Sequence, residues 1–528
     1  MHHAECPHAA RSSRLRNPRL KGLTILTGLA SLIWFLVRVI PKPSRAAYPC
    51  QRAAAPLASG FVVWLVGLAG AKALQRKART MARRSGYALA AVALAGAVVA
   101  VWLPLGVTDD AAAQEAFVPT DAPNTPIGVG KGIYPGRVVW AHEPDAARWD
   151  GKTGDWWDDA NTDQRLVSTM MSDSVRALTG KKTDKEAWDA LFHNFNQTHG
   201  AGNAGYRAGE KIAIKINENQ NRSGGWTTGQ AVPSPHMVYA LVAELIEVAG
   251  VRGENITIYD ASRSIGEPIV KKIRANASAD FQAVRFVAKQ AAPNGQMAAE
   301  FDPGNTVHFS DPNLPEAYLP KTVTEARYLI NFALLRAHIL FGVTLTAKNH
   351  FGEVYFPNGG GFSPRTLHNS GGRTRPNGSY NCLVDLIGHK QLGGKTLLYL
   401  VDGLYPGEHN ETKVTKFASF GDQWAASLLA SQDPVAIDSV GLDFLRNEPR
   451  ETQVRGTADA YLHEAALANK PPSGTVYDPS KEGKPLASLG VHEHWNNATD
   501  RKYSRNLGKS EGIELVALPG SKVGKAGD

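Results

Sequence analysis

The densest run of side chains able to do chemistry is Ile330-Asn-Phe-Ala-Leu-Leu-Arg336-Ala-His338, followed by Thr344-Leu-Thr346-Ala-Lys348-Asn349-His350-Phe-Gly352-Glu353. An apolar strand that runs into Arg336 and His338 delivers them at a strand end, the edge where α/β proteins collect ligands. Lys348, Asn349 and His350 then supply a cation, an amide and a titratable base beside Gly352, which permits a turn. Such a set suits an oxyanion or a carboxylate, with His338 or His368 as acid, base or metal ligand. Other strand ends repeat the pattern. Lys215 and Asn217 close one apolar run, Asp260 closes the next, and Asp402 closes Leu397–Asp402. His368 lies in the glycine-rich stretch Val354–Ser379, and Asp438 sits one turn into a helix that Asp433-Pro434 would open. The expected pocket therefore draws His338, Lys348, Asn349, His368 and Asp402 into a catalytic set, with Lys215, Asn217, Asp260 and Asp438 binding the ligand. A divalent metal, Zn, Ni or Fe, is compatible with histidines plus carboxylates, and these scattered spacings do not choose among them. The competing reading keeps His338 and His350 as structural histidines and Lys348 as a solvated charge.

Two nucleotide motifs nearly form and fail. In Gly388-His-Lys-Gln-Leu-Gly393-Gly394-Lys395-Thr396 an extra glycine spoils the phosphate-loop spacing. The strand-like Leu397–Asp402 follows, so no helix N-terminus would face a phosphate. The run Gly128-Val-Gly130-Lys-Gly132 opens no helix either, and nucleotide binding is not expected. Gly-x-Ser-x-Gly and His-Glu-x-x-His are both missing. The three cysteines, Cys6, Cys50 and Cys382, make neither a CxxC pair nor any zinc, iron–sulfur or haem spacing, so an iron–sulfur cluster is not expected. The tryptophans of Trp149-Asp-Gly-Lys-Thr-Gly-Asp155-Trp156-Trp157 could stack on sugars, but packing at a domain edge is the stronger reading.

The elements that must position these residues alternate. Lys211–Asn217 and Ile256–Asp260 read as strands around a helix at Ser234–Ala249. Val284–Val287, Tyr328–Leu335 and Leu397–Asp402 continue the strands, with helices at Asp163–Leu178, Gly421–Ala430 and Pro434–Leu445. This interleaving predicts an α/β fold with a parallel or mixed sheet flanked by helices. The soluble domain is expected over 136–470, after a linker at 107–135 and before a polar C-terminal tail at 471–528.

Charge divides the chain. Residues 1–106 hold fifteen Lys and Arg against the single acid Glu5, whereas the rest holds 43 basic and 48 acidic residues. The net charge of +9 thus belongs to the N-terminal segment, and the remainder gives no electrostatic reason to bind nucleic acid. That segment contains three apolar stretches, 22–40, 57–74 and 87–106, each long enough to cross a bilayer as a helix. The basic residues before Gly22 and in Gln75–Gly86 place those parts in the cytoplasm and send everything after the third span outward. The spans contain no central acid or histidine, so they read as an anchor that can also dock a membrane-protein partner.

Four motifs occur in order: Lys211-Ile-Ala-Ile-Lys215-Ile-Asn217, then Ile330-Asn331 through His338 to Thr346-Ala-Lys348-Asn349 and Phe351-Gly352, then Val401-Asp402-Gly403, and Ser431-Gln-Asp433-Pro434-Val-Ala-Ile-Asp438. In this order they resemble the bacterial family called domain of unknown function 362, over about residues 205–450. The Trp-rich segment and Tyr48-Pro49-Cys50-Gln51 are similar to a membrane-bound subgroup of that family. Some members carry a ferredoxin-like cluster domain, from which this chain departs because its cysteines cannot ligate a cluster. The resemblance implies no settled activity. It leaves two expectations: an envelope protein acting on or binding a small anionic ligand on the periplasmic side of the bacterial inner membrane, or a non-catalytic subunit of a membrane complex.

Overall fold

A computed structural model describes residues 33, 34, 37, 121–222, 225–357, 366–368, 376–449, 454 and 457–519. The chain divides into two compact units, Met1–Glu115 and Ala116–Asp528. Of the first, Ile33, Trp34 and Val37 are helical and exposed. The expected spans at 22–40, 57–74 and 87–106 otherwise lie outside the described residues, as does 107–120 of the expected linker. Among the described residues no helix is long and apolar enough to cross a membrane.

The second unit is a mixed α/β domain. Its strands are β1 (Ile127–Gly128), β2 (Arg137–His142), β3 (Ile212–Lys215), β4 (Ile256–Asp260), β5 (Arg285–Ala288), β6 (Met297–Ala298), β7 (Phe301–Val307), β8 (Ala317–Pro320), β9 (Tyr328–Leu334), β10 (Arg336–His338), β11 (Gly342–Thr344), β12 (Thr396–Gly403), β13 (Ser427–Ser431), β14 (Val491–His492) and β15 (Glu514–Ala517). Nine of them form one sheet in the order β15-β2-β13-β12-β9-β3-β4-β5-β6. The six from β12 to β6 are parallel, and β13 alone runs against its neighbours β12 and β2. After β3 the chain builds outward through β4 and β5, whereas β9 returns to the other side of β3 and leads to β12. The sheet therefore has a topological switch point between β3 and β9, where α/β folds open a crevice at the C-terminal strand ends.

Central strands such as β9 are buried at every position, which is why they read as continuous apolar runs. Alternate residues feed two cores, one on each face: Ile212, Ile214, Ile258 and Ile330 on one side, Ala213, Tyr259, Leu329 and Ala333 on the other. Helices α1 (Gln164–Thr179), α2 (Asp184–Thr198), α3 (Pro235–Ala243), α4 (Glu267–Arg274), α5 (Thr346–Asn349), α6 (Cys382–Gly388), α7 (Pro434–Arg446) and α8 (Ala460–Ala466) complete these layers. Their starts are chemically marked. Asp163 caps α1 by accepting from the Leu166 amide, Thr183 and Glu186 form a capping box on α2, and Asp433 with Pro434 opens α7.

Three expectations need revision. The segment Gly421–Ala430, expected as a helix, is a turn leading into β13; Gly421, Asp422 and Ala426 all adopt left-handed φ (69°, 57° and 40°), which a helix cannot hold. The end of the chain, expected as a polar tail, supplies β14 and the edge strand β15, which pairs in parallel with β2. Residues 121–135, expected as linker, contribute β1, paired with β14. Edge strands of two to four residues carry too short an alternation to stand out in a sequence.

Candidate functional site

The sequence ends β3 on Lys215 and β4 on Asp260, neighbouring strands in register, and both side chains are buried. Lys215 Nζ donates to Ile216 O (2.6 Å) and Asn349 Oδ1 (3.2 Å) and lies 3.4 Å from Asp260 Oδ2. Asp260 also accepts from the Glu218 amide, and from the amide and hydroxyl of Ser262. Burial opposes charge on this carboxyl, but Lys215 and these donors outweigh it and hold its pKa below the ordinary value. The pair is covered by Gly352: a Cβ there would come within 2.8 Å of Asp260 Oδ1 and 2.9 Å of Lys215 Nζ.

Helix α5 brings Lys348 and Asn349. Its first turn is held by Asp438 on α7, whose carboxylate accepts from Thr346 N (2.8 Å), Thr346 Oγ1 (2.7 Å) and Ala347 N (3.0 Å), and from the Tyr461 hydroxyl (3.0 Å). Asn349 Nδ2 donates to Asn331 Oδ1 (2.8 Å) and Lys215 O (3.3 Å). With its Oδ1 so used, Asn331 turns Nδ2 to His350 Nε2 (3.1 Å), which leaves His350 Nδ1–H to donate to Glu353 Oε1 (2.9 Å). His350 is thus a buried brace for Asn331, away from the cavity wall.

Lys348 is different. Its ammonium stands 4.1 Å from the Phe351 ring centroid and 4.8 Å from that of Phe341, and among the described residues it has no hydrogen-bond or carboxylate partner. Burial between these rings lowers its pKa to about 7. Beside it, the β10–β11 hairpin presents His338, whose Nδ1 accepts from the amides of Leu340 (3.0 Å) and Phe341 (3.3 Å). The neutral ring therefore carries its proton on Nε2. Burial first, and then Lys348 and His368, push His338 well below the ordinary histidine value. His368 stacks on it with centroids 5.3 Å apart.

Lys215, Asp260, His338, Lys348, Asn349, Phe351 and His368 line one cavity of about 210 Å³ at the switch point, together with Asn217, Arg263 and Asn410. That is below the roughly 300–1,000 Å³ of sites for drug-sized ligands, so the space suits a small molecule. Its cations are Lys215, Arg222, Arg263 and Lys348, against the carboxylates of Asp260 and Glu411. Arg263 is fixed by donating to Asn219 O (3.1 Å) and Ser262 O (2.9 Å).

Residues 212–443 match the family model described as Domain of unknown function (DUF362). No match was found among curated proteins or among solved structures. The matched segment opens with β3 and closes within α7, so it contains every residue expected in the site. Within it, Lys215, Asn217, Asp260, His338, Lys348, Asn349 and His368 come together. Two expected members do not line the cavity. Asp402 is buried, with Oδ2 accepting from Ser234 N (2.7 Å) and Oδ1 from Leu404 N (3.0 Å), and burial raises its pKa to about 6. It shapes the end of β12. Asp438 acts on α5 from behind. Asn217 Oδ1 is occupied by Arg336 Nη2 (2.8 Å), so its carbonyl oxygen is structural.

Sequence reading overlooked Arg263, although Ser262-Arg263 directly follows the strand-ending Asp260 and carried that signal. Phe341 and Phe351 were invisible as a cage because apolar residues announce only burial. Gly393 and Gly394 lie in a single 3₁₀ turn that leads into β12, so no α-helix follows them. Trp149 stacks on Trp424 and Trp156 is fully buried, so these two rings pack the fold, while Trp157 is half-buried. One Asp/His group with metal-ligand spacing exists among the described residues: Asp121, Asp459, His492 and His494. It includes neither His338 nor His368.

Proposed function

We propose that the cavity binds a small anionic ligand carrying a carboxylate or phosphate, and that Lys348 performs acid/base chemistry on it. The observation that carries this reading is the unequal environment of two lysines in one cavity. Lys215 has the Asp260 carboxylate 3.4 Å away, while Lys348 has two aromatic rings and no carboxylate partner among the described residues. Different surroundings suit different roles: the paired Lys215 anchors charge, and Lys348, lowered to about 7 by burial, gains and loses a proton near neutrality. Arg263 and the Nε2–H of His338 add donors for the anion. The three apolar stretches at 22–40, 57–74 and 87–106 and their basic flanks support placing the domain outside the cytoplasmic membrane of a bacterium.

The test is calorimetric titration of the detergent-purified full chain with inorganic phosphate and with malonate, above and below pH 7, on wild type and Lys348→Met. Binding that weakens as pH rises through 7, and drops at least tenfold in the variant while the fold is kept, is the expected result. Equal behaviour of the two proteins would favour the non-catalytic subunit of a membrane complex instead. Such a subunit would keep its assembly when Lys348 and His338 are replaced.

A further inference from the structure

Outside residues 212–443, three separate stretches of chain bring nitrogen and oxygen ligands to one point, where Asp459, His492 and His494 are buried and Asp121 is half-buried. Asp121 precedes β1, Asp459 precedes α8, and His492 and His494 lie at β14, with one ligand atom from each within 4.8 Å of the others. We propose that these four residues hold a divalent transition metal, with Zn²⁺ as the ion their two imidazoles and two carboxylates fit best.

Each histidine is oriented as a metal ligand would be. The Ser439 hydroxyl donates to Val435 O (2.7 Å), so at 2.8 Å it accepts from His492 Nδ1–H. That fixes the tautomer and leaves a lone pair on His492 Nε2, which is buried without a hydrogen-bond partner and points 4.0 Å from Asp121 Oδ2. His494 Nδ1 is 2.7 Å from Asp443 Oδ1; Asp443 Oδ2 is itself held by the Trp495 amide and the Tyr503 hydroxyl. A carboxylate behind a ligating histidine raises its basicity and fixes its ring. Asp459 gives Oδ2 to Arg446 (2.9 Å) and keeps Oδ1 buried and unpartnered. Asp121 Oδ2 pairs with His463 Nε2 (2.6 Å).

His494 Nε2 lies 3.2 Å from the acceptor Asp459 Oδ2 and 3.3 Å from the donor Arg446 Nη1, and one ring nitrogen can satisfy only one of them. An ion that takes the Nε2 lone pair and Asp459 Oδ1 gives both atoms a partner and leaves Arg446 on Oδ2, where it already donates. Tetrahedral zinc with bonds of about 2.0–2.2 Å sets its ligand atoms about 3.3–3.6 Å apart, so the widest pair must close by about 1 Å. The ion would tie the segment before β1 to the chain's C-terminal stretch, a structural role.

The test uses the full chain in detergent, stripped with chelator and titrated with Zn²⁺, and with Co²⁺ for its visible d–d absorption. The expected result is one equivalent of metal, a tetrahedral Co²⁺ spectrum and a rise in Tm on loading, all kept in His338→Ala. The same signals should be lost in His492→Ala and in the near-isosteric Asp459→Asn. A wild-type protein that takes up neither ion would overturn the proposal and leave a metal-free His494–Asp459–Arg446 charge network. Retention of a full equivalent by a folded Asp459→Asn/His492→Ala double variant would overturn it equally.

Discussion

The strand-end cavity and the Asp/His cluster are both polar and both lean on α7, yet their charge balance is opposite. The cavity holds an excess of cations, with its one fully buried carboxylate, Asp260, already committed to Lys215. The cluster gathers Asp121, Asp443 and Asp459 around histidines, with Arg446 as its fixed cation. A buried excess of one sign is costly unless a group of the other sign offsets it, which is the contrast behind proposing an anion for the first region and a cation for the second. One helix serves both. Asp438 holds the first turn of α5 at Thr346 and Ala347, while Ser439 and Asp443 reach His492 and His494.

The largest effects should come from cutting α7 loose from each side. Asp438→Ala removes the acceptor of four buried hydrogen bonds and should cost on the order of 3 kcal/mol or more by denaturant unfolding. It should also abolish anion binding through displacement of Lys348 while Zn²⁺ uptake survives. Asp443→Ala strips the support from His494, the Trp495 amide and the Tyr503 hydroxyl. It should lose metal and keep the anion. If each variant loses both activities, α7 couples the regions and they cannot be treated as independent.

Next in size is Gly352→Ala. The added methyl would press on both members of the Lys215–Asp260 pair. Neither can retreat, because Lys215 is tied to Ile216 and Asn349 and Asp260 to Glu218 and Ser262. Anion affinity should fall at least tenfold in calorimetry, with metal content unchanged.

How far each region was legible in the sequence follows from how its residues are distributed. The parallel strands β3 and β4 are apolar runs that end on Lys215 and Asp260, which spacing alone could place at one edge; Arg336 and His338, expected at the end of the same strand as Tyr328–Leu335, instead form β10, which leaves the sheet to pair with β11. What spacing could not supply was direction: Asp402 ends its strand like Asp260 but turns to the Ser234 and Leu404 amides. The cluster was missed for another reason. Asp121 lies more than 300 residues before Asp459 and His492, the expected linker holds Asp121 and the expected tail holds His492, and the β1–β14 pairing brings these two segments together. The pattern His492-Glu-His494 was the single local signal.

A smaller effect, with a worked sign, concerns Lys348. Its folded pKa of about 7 lies below its unfolded value of about 10.4. Between those values the unfolded chain binds the extra proton, so stability rises with pH across that window; below pH 7 both states are charged and the burial cost is fully present. Lys348→Met should therefore raise Tm most at pH 7 and below, with the gain shrinking toward pH 10. A pH-independent gain would mean that Lys348 is not the titrating group.

The smallest expected change separates the two strand-ending carboxylates. Asp402→Asn keeps one acceptor for Ser234 or Leu404 but turns an amide N–H toward the other donor. That mismatch should cost about 1 kcal/mol in unfolding experiments. Anion affinity should stay within a factor of two, because the side chain lies outside the cavity wall. Asp260→Asn, by contrast, removes the counter-charge of Lys215 and leaves a second cation facing the ligand. Anion binding should then tighten if Asp260 only balances charge, and weaken if its grip on Lys215 is what positions the ammonium. The short, shared contacts of Lys215 with Ile216 and Asn349 favour the first outcome, since they hold the ammonium in place without Asp260.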